Sequence, residues 1–168
     1  MANYYGKYRG KVISNVDPMQ MGRLMVQVPD VANVQPSTWA MPCAPFAGPQ
    51  SGLFAVPPIG ASVWVEFEQG NSDYPIWSGC FWGSAAEVPP LALAAPPGVQ
   101  AIVVQSVGQS TLMISDVPGP TGGILLKASS GAMIAINDTG ITISNGQGAT
   151  ITLTGPTVTV NQGALAVT

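Results

Sequence analysis

From Ile124 onward the chain repeats one simple pattern, in which aliphatic residues alternate with small polar residues. In the runs 141–144, 150–154 and 157–160, Ile, Leu or Val takes every second position and Thr or Ser takes the others. Successive side chains of a β-strand point to opposite faces, so this alternation predicts strands with one aliphatic and one hydroxyl-bearing face. Small polar turns close each strand, at 129–131, 138–140, 145–148, 155–156 and 161–163.

The aliphatic side chains of this repeat are expected to share one inward face. They are Ile124, Leu126, Ile134, Ile136, Ile141, Ile143, Ile151, Leu153, Val158, Val160, Leu165 and Val167. A single ribbon has nothing to pack against such a face, and its edges stay open to pairing. We therefore predict that this segment associates with copies of itself.

Two architectures bury an aliphatic face of this kind. A single-chain solenoid needs repeats of roughly 20 residues or more, whereas these strands recur every seven to ten residues. We therefore favour three chains wound together in an intertwined β-helix. An ordinary β-sandwich is the alternative, because short and evenly spaced strands suit it as well.

The first half of the chain predicts five strands separated by Gly- and Pro-containing turns. They are placed at 8–13, 23–28, 39–44, 62–68 and 76–82. Five such strands suggest a small barrel of the oligonucleotide/oligosaccharide-binding (OB) type. The predicted fold is therefore all-β, an N-terminal OB-fold barrel followed by a C-terminal triple-stranded β-helix in a homotrimer. Its predicted parts are the barrel at 1–83, an Ala/Pro-rich linker at 84–98, a hairpin and neck at 99–123, and a needle at 124–168.

Charge is scarce and uneven. Charged residues make up 8% of the chain, against about 25% in typical soluble domains. The only charged residues between positions 91 and 168 are Asp116, Lys127 and Asp138. The only basic cluster is the alternating set at positions 7, 9 and 11, which we interpret as a solvated strand face. Nucleic-acid binders normally show a broader basic stripe, so we predict no nucleic-acid partner.

The usual parts of a catalytic site are missing from the sequence. It contains no histidine, the residue most often used as a general base. Cys43 lies beside prolines, which favours a packed or turn thiol over a nucleophile. Glu66 and Glu68 are expected to share one strand face, where a solvated pair is favoured over acid/base chemistry. We predict no enzymatic activity, no cofactor and no metal site.

Two further features bear on location and on surfaces. The start of the chain is polar and aromatic, so no secretory signal is predicted. Prolines interrupt the longest apolar run, at 88–104, and exclude a membrane helix there. The four tryptophans are candidates for core, interface or base-stacking positions. Trp64 is expected to point away from Val63 and Val65, which makes it a candidate for an inter-subunit contact.

The first region resembles a known family of proteins. It contains Arg9-Gly10-Lys11-Val12, then Asp17-Pro18, then a run from Gly22 to Pro29, and a run from Pro58 to Gly70. The motif positions are Gly10, Asp17, Pro18, Gly22, Arg23, Pro58, Gly60, Gly70, Pro75 and Gly79. Their order and spacing are similar to those of the OB domain of contractile-tail spikes, which are the phage baseplate assembly protein V family and the valine-glycine repeat proteins of type VI secretion. The repetitive tail is similar to the needle of the same family.

The resemblance implies a homotrimeric, structural central spike at the baseplate hub, with a needle that punctures a target envelope. The implied partners are tail tube or hub proteins at the OB end and a conical PAAR-type tip protein at the C-terminal end. Such a spike is made in the bacterial cytoplasm without a signal peptide and joins a virion baseplate or an injection system. The turn Gly70-Asn71 departs from the family's frequent Gly-Asp, and without histidine the iron-binding tip of some phage spikes is absent.

Two other functions are consistent with an all-β oligomer. A trimeric fibre or adhesin that binds a surface glycan predicts exposed aromatics near the end of the needle, but the last aromatic is Trp82. An OB-fold nucleic-acid binder is disfavoured by charge.

Overall fold

The computed structural model describes residues 3–32 and 35–167, with side chains through Leu165. The chain forms two compact units, Met1–Glu87 and Val88–Thr168. The first contains strands β1 (Tyr8–Ser14), β2 (Leu24–Gln27), β3 (Pro36–Pro42), β4 (Ala47–Gly48), β5 (Ser51–Gly52), β6 (Ser62–Phe67) and β7 (Pro75–Phe81) and helix α1 (Pro29–Ala32). The second contains helix α2 (Pro90–Leu93) and strands β8 (Ala101–Gln105), β9 (Thr111–Ser115), β10 (Gly123–Lys127), β11 (Met133–Asn137), β12 (Gly140–Ser144), β13 (Thr150–Thr154), β14 (Thr157–Val160) and β15 (Leu165–Val167).

The first unit is a closed barrel with strand order β1-β2-β3-β7-β6. All its pairings are antiparallel except β3 with β7, where Met41 pairs with Ile76 and Pro42 with Trp77. This one parallel contact closes the barrel. The five-stranded barrel confirms the predicted OB-type architecture of this region.

The barrel core follows from the alternation of its strands. Val63, Val65 and Phe67 are 0%, 0% and 7% exposed, as their every-second-residue spacing in β6 predicts. The other buried members of this core are Val12, Leu24, Val26, Val28, Ala40 and Trp77. Tyr4, ahead of β1, packs its ring 5.9 Å from that of Phe67 and donates its backbone N–H to the carbonyl of Gly70.

The barrel differs from the sequence prediction in its connections. The third strand begins at Pro36 and ends at Pro42, earlier than the predicted 39–44. The short helix α1 and the two-residue strands β4 and β5 were not predicted. Elements of two to four residues are too short to produce a detectable hydrophobic period.

The second unit is an antiparallel sheet of eight strands in the order β15-β14-β13-β12-β11-β10-β9-β8. Each strand therefore pairs only with its neighbours along the chain. The hairpin of β8 and β9 lies within this sheet, joined to it by pairing of β9 with β10. Together with the barrel, the sheet confirms the all-β class.

Tight turns connect these strands, and one shows why a glycine is required. Asn137 pairs with Gly140 at the end of the β11–β12 hairpin. A Cβ at position 140 would lie 2.0 Å from the carbonyl oxygen of Leu153 on the next strand. Only glycine lets β13 approach the turn this closely.

Helices are few and short. Within residues 3–32 and 35–167, none has the length and the apolar character that crossing a membrane requires.

Candidate functional site

The register of the sheet places its aliphatic residues in two parallel rows. One row runs from strand to strand through Ile102, Ile114, Ile124, Ile136, Ile141, Leu153, Val158 and Val167. The other runs through Val104, Leu112, Leu126, Ile134, Ile143, Ile151, Val160 and Leu165. Residues of the two rows are two positions apart on every strand, so both rows lie on one face. We call this surface the aliphatic face.

All twelve predicted residues of the repeat belong to these rows, although the side chain of Val167 lies outside the described ones. The sequence prediction missed four further members, Ile102, Val104, Leu112 and Ile114. The aliphatic face therefore begins at β8, within the segment predicted as a hairpin and neck.

The aliphatic face is uncovered in the single chain. Its exposed members range from Leu153 at 36% to Ile102 at 65% exposure. Ile141, Val158 and Val160 are half-buried. A continuous apolar surface of this extent is rare on a monomeric protein and marks an interaction site.

The opposite face of the same sheet is better covered at β9, near the first strands of the sheet. On β9, Thr111, Met113 and Ser115 are 6%, 6% and 7% exposed, whereas Leu112 and Ile114 between them are 41% and 45% exposed. Leu91 of α2 and Met113 line the same cavity, of about 350 Å³. The uncovered face is thus the more apolar one, contrary to what folding of a lone chain favours.

Further along the sheet the opposite face becomes a ladder of hydroxyl groups. Thr142 pairs with Thr152 and Thr152 with Thr159, and the hydroxyls of Thr152 and Thr159 share a hydrogen bond. Lys127, the only charged residue within these strands, pairs with Thr111 and Met133 and so also belongs to this face. The aliphatic face carries no charge in the strands described.

In the barrel, the motif residues Asp17 and Arg23 form an ion pair that fixes the turn between β1 and β2. The Asp17 carboxylate accepts hydrogen bonds from Arg23 Nη2 at 2.6 Å and from Nε at 3.0 Å, and from the backbone N–H groups of Met19, Met21 and Arg23. These bonds, led by the Arg23 guanidinium, hold the pKa of Asp17 well below its usual range. The guanidinium also lies 5.5 Å from the ring centre of Trp39.

The motif glycines serve close packing and turns rather than chemistry. A Cβ at Gly10, which is buried in β1, would lie 2.9 Å from Val65 Cγ2. The carbonyl of Gly22 accepts the indole N–H of Trp77 at 3.1 Å. A Cβ at Gly70 would meet the ring of Tyr5 at 3.0 Å.

Pro18 lies in the turn between β1 and β2, and the remaining motif residues lie before β6 or within β7. Gly60 lies in the turn before β6, where its N–H bonds to the carbonyl of Val12 and the carbonyl of Pro58 receives the N–H of Ala61. Pro75 is buried at the start of β7, and Gly79 is opposite Trp64 where the pairing of β6 and β7 shifts register.

Only one of the two glutamates of the predicted strand pair lies on a strand. Glu66 lies on β6 and accepts a hydrogen bond from Lys7 Nζ at 2.9 Å, which lowers its pKa. Glu68 lies beyond the strand, in a 3₁₀ turn at Glu68–Gly70. The expectation that they share one strand face was wrong, because β6 ends at Phe67.

Both cysteines border one groove in the barrel. Cys43 and Cys80 are free and exposed, and they line a cavity of about 620 Å³ together with Phe46, Phe54 and Trp77. Although Cys80 is partly open to solvent, desolvation by the surrounding groove residues raises the pKa of its thiol. In the described part of the chain, no group of three or more His, Cys, Asp or Glu gathers as a metal site would require.

The fold is all-β, with a closed barrel in one unit and a sheet that exposes an aliphatic face in the other. Comparison with protein families gives one match in each of the two units. Residues 8–82 match the type VI secretion system/phage-baseplate injector OB domain, and residues 101–166 match the phage baseplate V C-terminal trimerisation domain. No curated protein matches the chain. The two family matches together span most of the sequence, and the chain belongs to the baseplate V family of contractile-tail spike proteins.

The second match bears directly on the aliphatic face. It begins at the first residue of β8 and so includes the four aliphatic residues that the sequence prediction missed. A trimerisation domain supports a homotrimer. That the two rows line the trimer axis stays a prediction.

Proposed function

We propose that this protein is the homotrimeric central spike at the baseplate hub of a contractile phage tail or injection system. Three barrels form a collar that binds the tail tube or hub. Three sheets wind into a triple-stranded β-helix, the needle that enters the target envelope when the sheath contracts. The observation that carries the proposal is the uncharged, uncovered aliphatic face within a trimerisation domain.

The proposed mechanism is mechanical. Three aliphatic faces meet around one axis and exclude water, so each buried Leu, Ile or Val side chain contributes about 1.5–3 kcal/mol relative to its exposed state. The ladder hydrogen bonds between strands then resist axial load together. The opposite face, with its threonine ladder, remains outside and hydrated. No bond-making chemistry is needed for this role.

In this proposal each segment of the chain forms a different part of the spike. Residues 1–83 form the collar, 84–98 the linker, 99–123 the hairpin and neck, and 124–168 the needle. The two aliphatic rows are continuous from β8 onward, so the neck shares the apolar axis of the needle. A PAAR-type tip protein caps the needle at its C-terminal end.

The proposal is tested in the particles themselves. The gene is replaced by the variants Ile143→Asp and Thr142→Asp, which change neighbouring residues on opposite faces of β12. We expect Ile143→Asp particles to lack a spike in electron micrographs and to lose injection or killing, and Thr142→Asp particles to keep both. Particles that assemble and fire normally with Ile143→Asp would contradict the proposal. Loss of binding to a surface glycan, with firing intact, would favour an adhesin.

A further inference from the structure

One face of the barrel combines cations with aromatic rings on the outside of three neighbouring strands. It is formed by Arg9 and Lys11 on β1, Trp64 on β6 and Phe81 on β7, and we call it the cation–aromatic face. The register places Arg9 opposite Trp64, and Ser62 between Lys11 and Phe81. All four side chains therefore point outward.

The rings hold the guanidinium in place without neutralising it. Arg9 Cζ lies 5.7 Å from the ring centre of Trp64 and 5.4 Å from that of Phe81, and the two ring centres are 4.7 Å apart. Arg9 and Lys11 are both exposed, and neither forms an ion pair with a described residue. Lys7 on the preceding segment differs, because Glu66 already pairs with it at 2.9 Å.

This composition is typical of a protein–protein contact. Arg, Trp and other aromatic residues are enriched at the energetically important centres of interfaces. An arginine fixed on two rings loses little side-chain freedom when it binds a carboxylate, since its geometry is set beforehand. The partner surface should therefore present unpaired carboxylates.

The same barrel presents such carboxylates elsewhere. Asp30 lies on α1, and Glu68 and Asp73 flank the turn after β6. Asp73 lines a cleft between α1 and this turn, and Asp30 and Glu68 each precede or follow one of its lining residues, Val31 and Phe67. None of the three carboxylates forms an ion pair in the described part of the chain, where the pairs are Lys7–Glu66 and Asp17–Arg23. We call Asp30, Glu68 and Asp73 the acidic end.

Three-fold symmetry allows these two surfaces of neighbouring subunits to meet. A closed ring of three identical subunits joins two different patches of the subunit, head to tail, rather than one patch to itself. We propose that the cation–aromatic face of one barrel docks on the acidic end of the next barrel in the trimer. This rests on the proposed homotrimer and adds a collar interface that is separate from the aliphatic face.

A zero-length cross-linker tests the contact in the full-length protein. Carbodiimide joins a lysine amine to a carboxylate that touches it, and mass spectrometry identifies the linked pair. The Lys7–Glu66 pair within one chain is the internal control for reaction and folding. Co-expression of copies with normal and heavy nitrogen distinguishes links between chains. We expect Lys11 to link to Asp30, Glu68 or Asp73 of another copy.

Charge variants sharpen the test. Arg9→Glu puts a carboxylate against the acidic end, so the Lys11 link between chains should fall to background while the Lys7–Glu66 link remains. Arg9→Lys should keep most of the Lys11 link. Adding Lys11→Glu, Asp30→Lys, Glu68→Lys and Asp73→Lys to Arg9→Glu reverses both surfaces. This combination should restore linking, with a carboxylate introduced at position 9 or 11 now joined to an introduced lysine of the next chain.

Three results would overturn the inference. In a preparation that light scattering shows to be trimeric, a clear Lys7–Glu66 link without any Lys11 link between chains would exclude the contact. Tight retention of single-stranded DNA that Arg9→Glu abolishes would assign the face to nucleic acid instead. A folded monomer would refute the proposed trimer itself, a different outcome from a trimer whose barrels do not touch.

Discussion

Ile143 on β12 and Ile151 on β13 are paired neighbours on one face of the sheet, yet they remain 42% and 41% exposed. Neighbours of this kind normally bury each other's aliphatic surface in a core. Here their pairing produces a continuous row with no layer above it. In the proposed homotrimer the other two chains supply that layer.

A charge placed in this row should prevent assembly. Ile143→Asp would put a carboxylate on the axis in each of the three chains, at a cost of roughly several kcal/mol for each unpaired buried charge. We expect analytical ultracentrifugation to show dissociated or aggregated chains. The matched control, Thr142→Asp, lies on the opposite face of the same strand and should remain trimeric.

The neck should contribute to the trimer as well as the needle. Ile114→Ala removes an aliphatic side chain that we place at the axis, so it should destabilise the trimer by about 2–5 kcal/mol per buried site. Thermal unfolding followed by circular dichroism measures the change. Val107→Ala is the control, because Val107 is 81% exposed in the β8–β9 turn. Equal effects of the two variants would contradict the extended axis.

The Asp17–Arg23 pair predicts a pH dependence of barrel stability. The folded-state pKa of Asp17 is depressed, whereas an unfolded aspartate titrates at about 3.9. Its stabilising contribution is therefore complete above that value and is lost as the pH falls below it. Asp17→Asn lacks this contribution. The difference in urea unfolding between wild type and Asp17→Asn should be largest near neutral pH and narrow at low pH. A difference that does not change with pH would show that the carboxylate charge contributes nothing.

Gly10 should tolerate no larger residue. Its buried position leaves 2.9 Å between an added Cβ and Val65 Cγ2, so Gly10→Ala overpacks the barrel at a typical cost of about 1–3 kcal/mol. Chemical denaturation monitored by tryptophan fluorescence measures this loss. Gly108→Ala is the control, since an added Cβ there meets nothing closer than 4.0 Å.

Local patterns were enough to predict most of the strands and twelve residues of the aliphatic face. Val63, Val65 and Phe67 alternate with polar or amphipathic neighbours, so their burial followed from period alone. Ile102 and Ile114 could not be assigned in the same way. Val103 lies beside the first and Met113 beside the second, and an unbroken apolar run does not reveal which residues share a face. Only the register of β8, β9 and β10 resolves that choice.

The sequence pattern does not predict tertiary contacts. Asp17 and Arg23 stood out as family positions, but their pairing depends on how the turn between β1 and β2 folds back. Glu68 continues the alternation of β6 in the sequence, yet β6 ends at Phe67 and Glu68 begins a 3₁₀ turn in which Gln69 adopts a left-handed backbone with φ of 53°. The cation–aromatic face likewise requires three strands to be brought together.

The most direct test of the proposed homotrimer is the mass of the purified full-length protein in solution. The chain weighs 17.2 kDa, and light scattering coupled to size exclusion measures the assembled mass without assumptions about shape. The proposed homotrimer should give a single species of three chains that persists on dilution. A folded monomer, stable with its aliphatic face exposed to water, would contradict it.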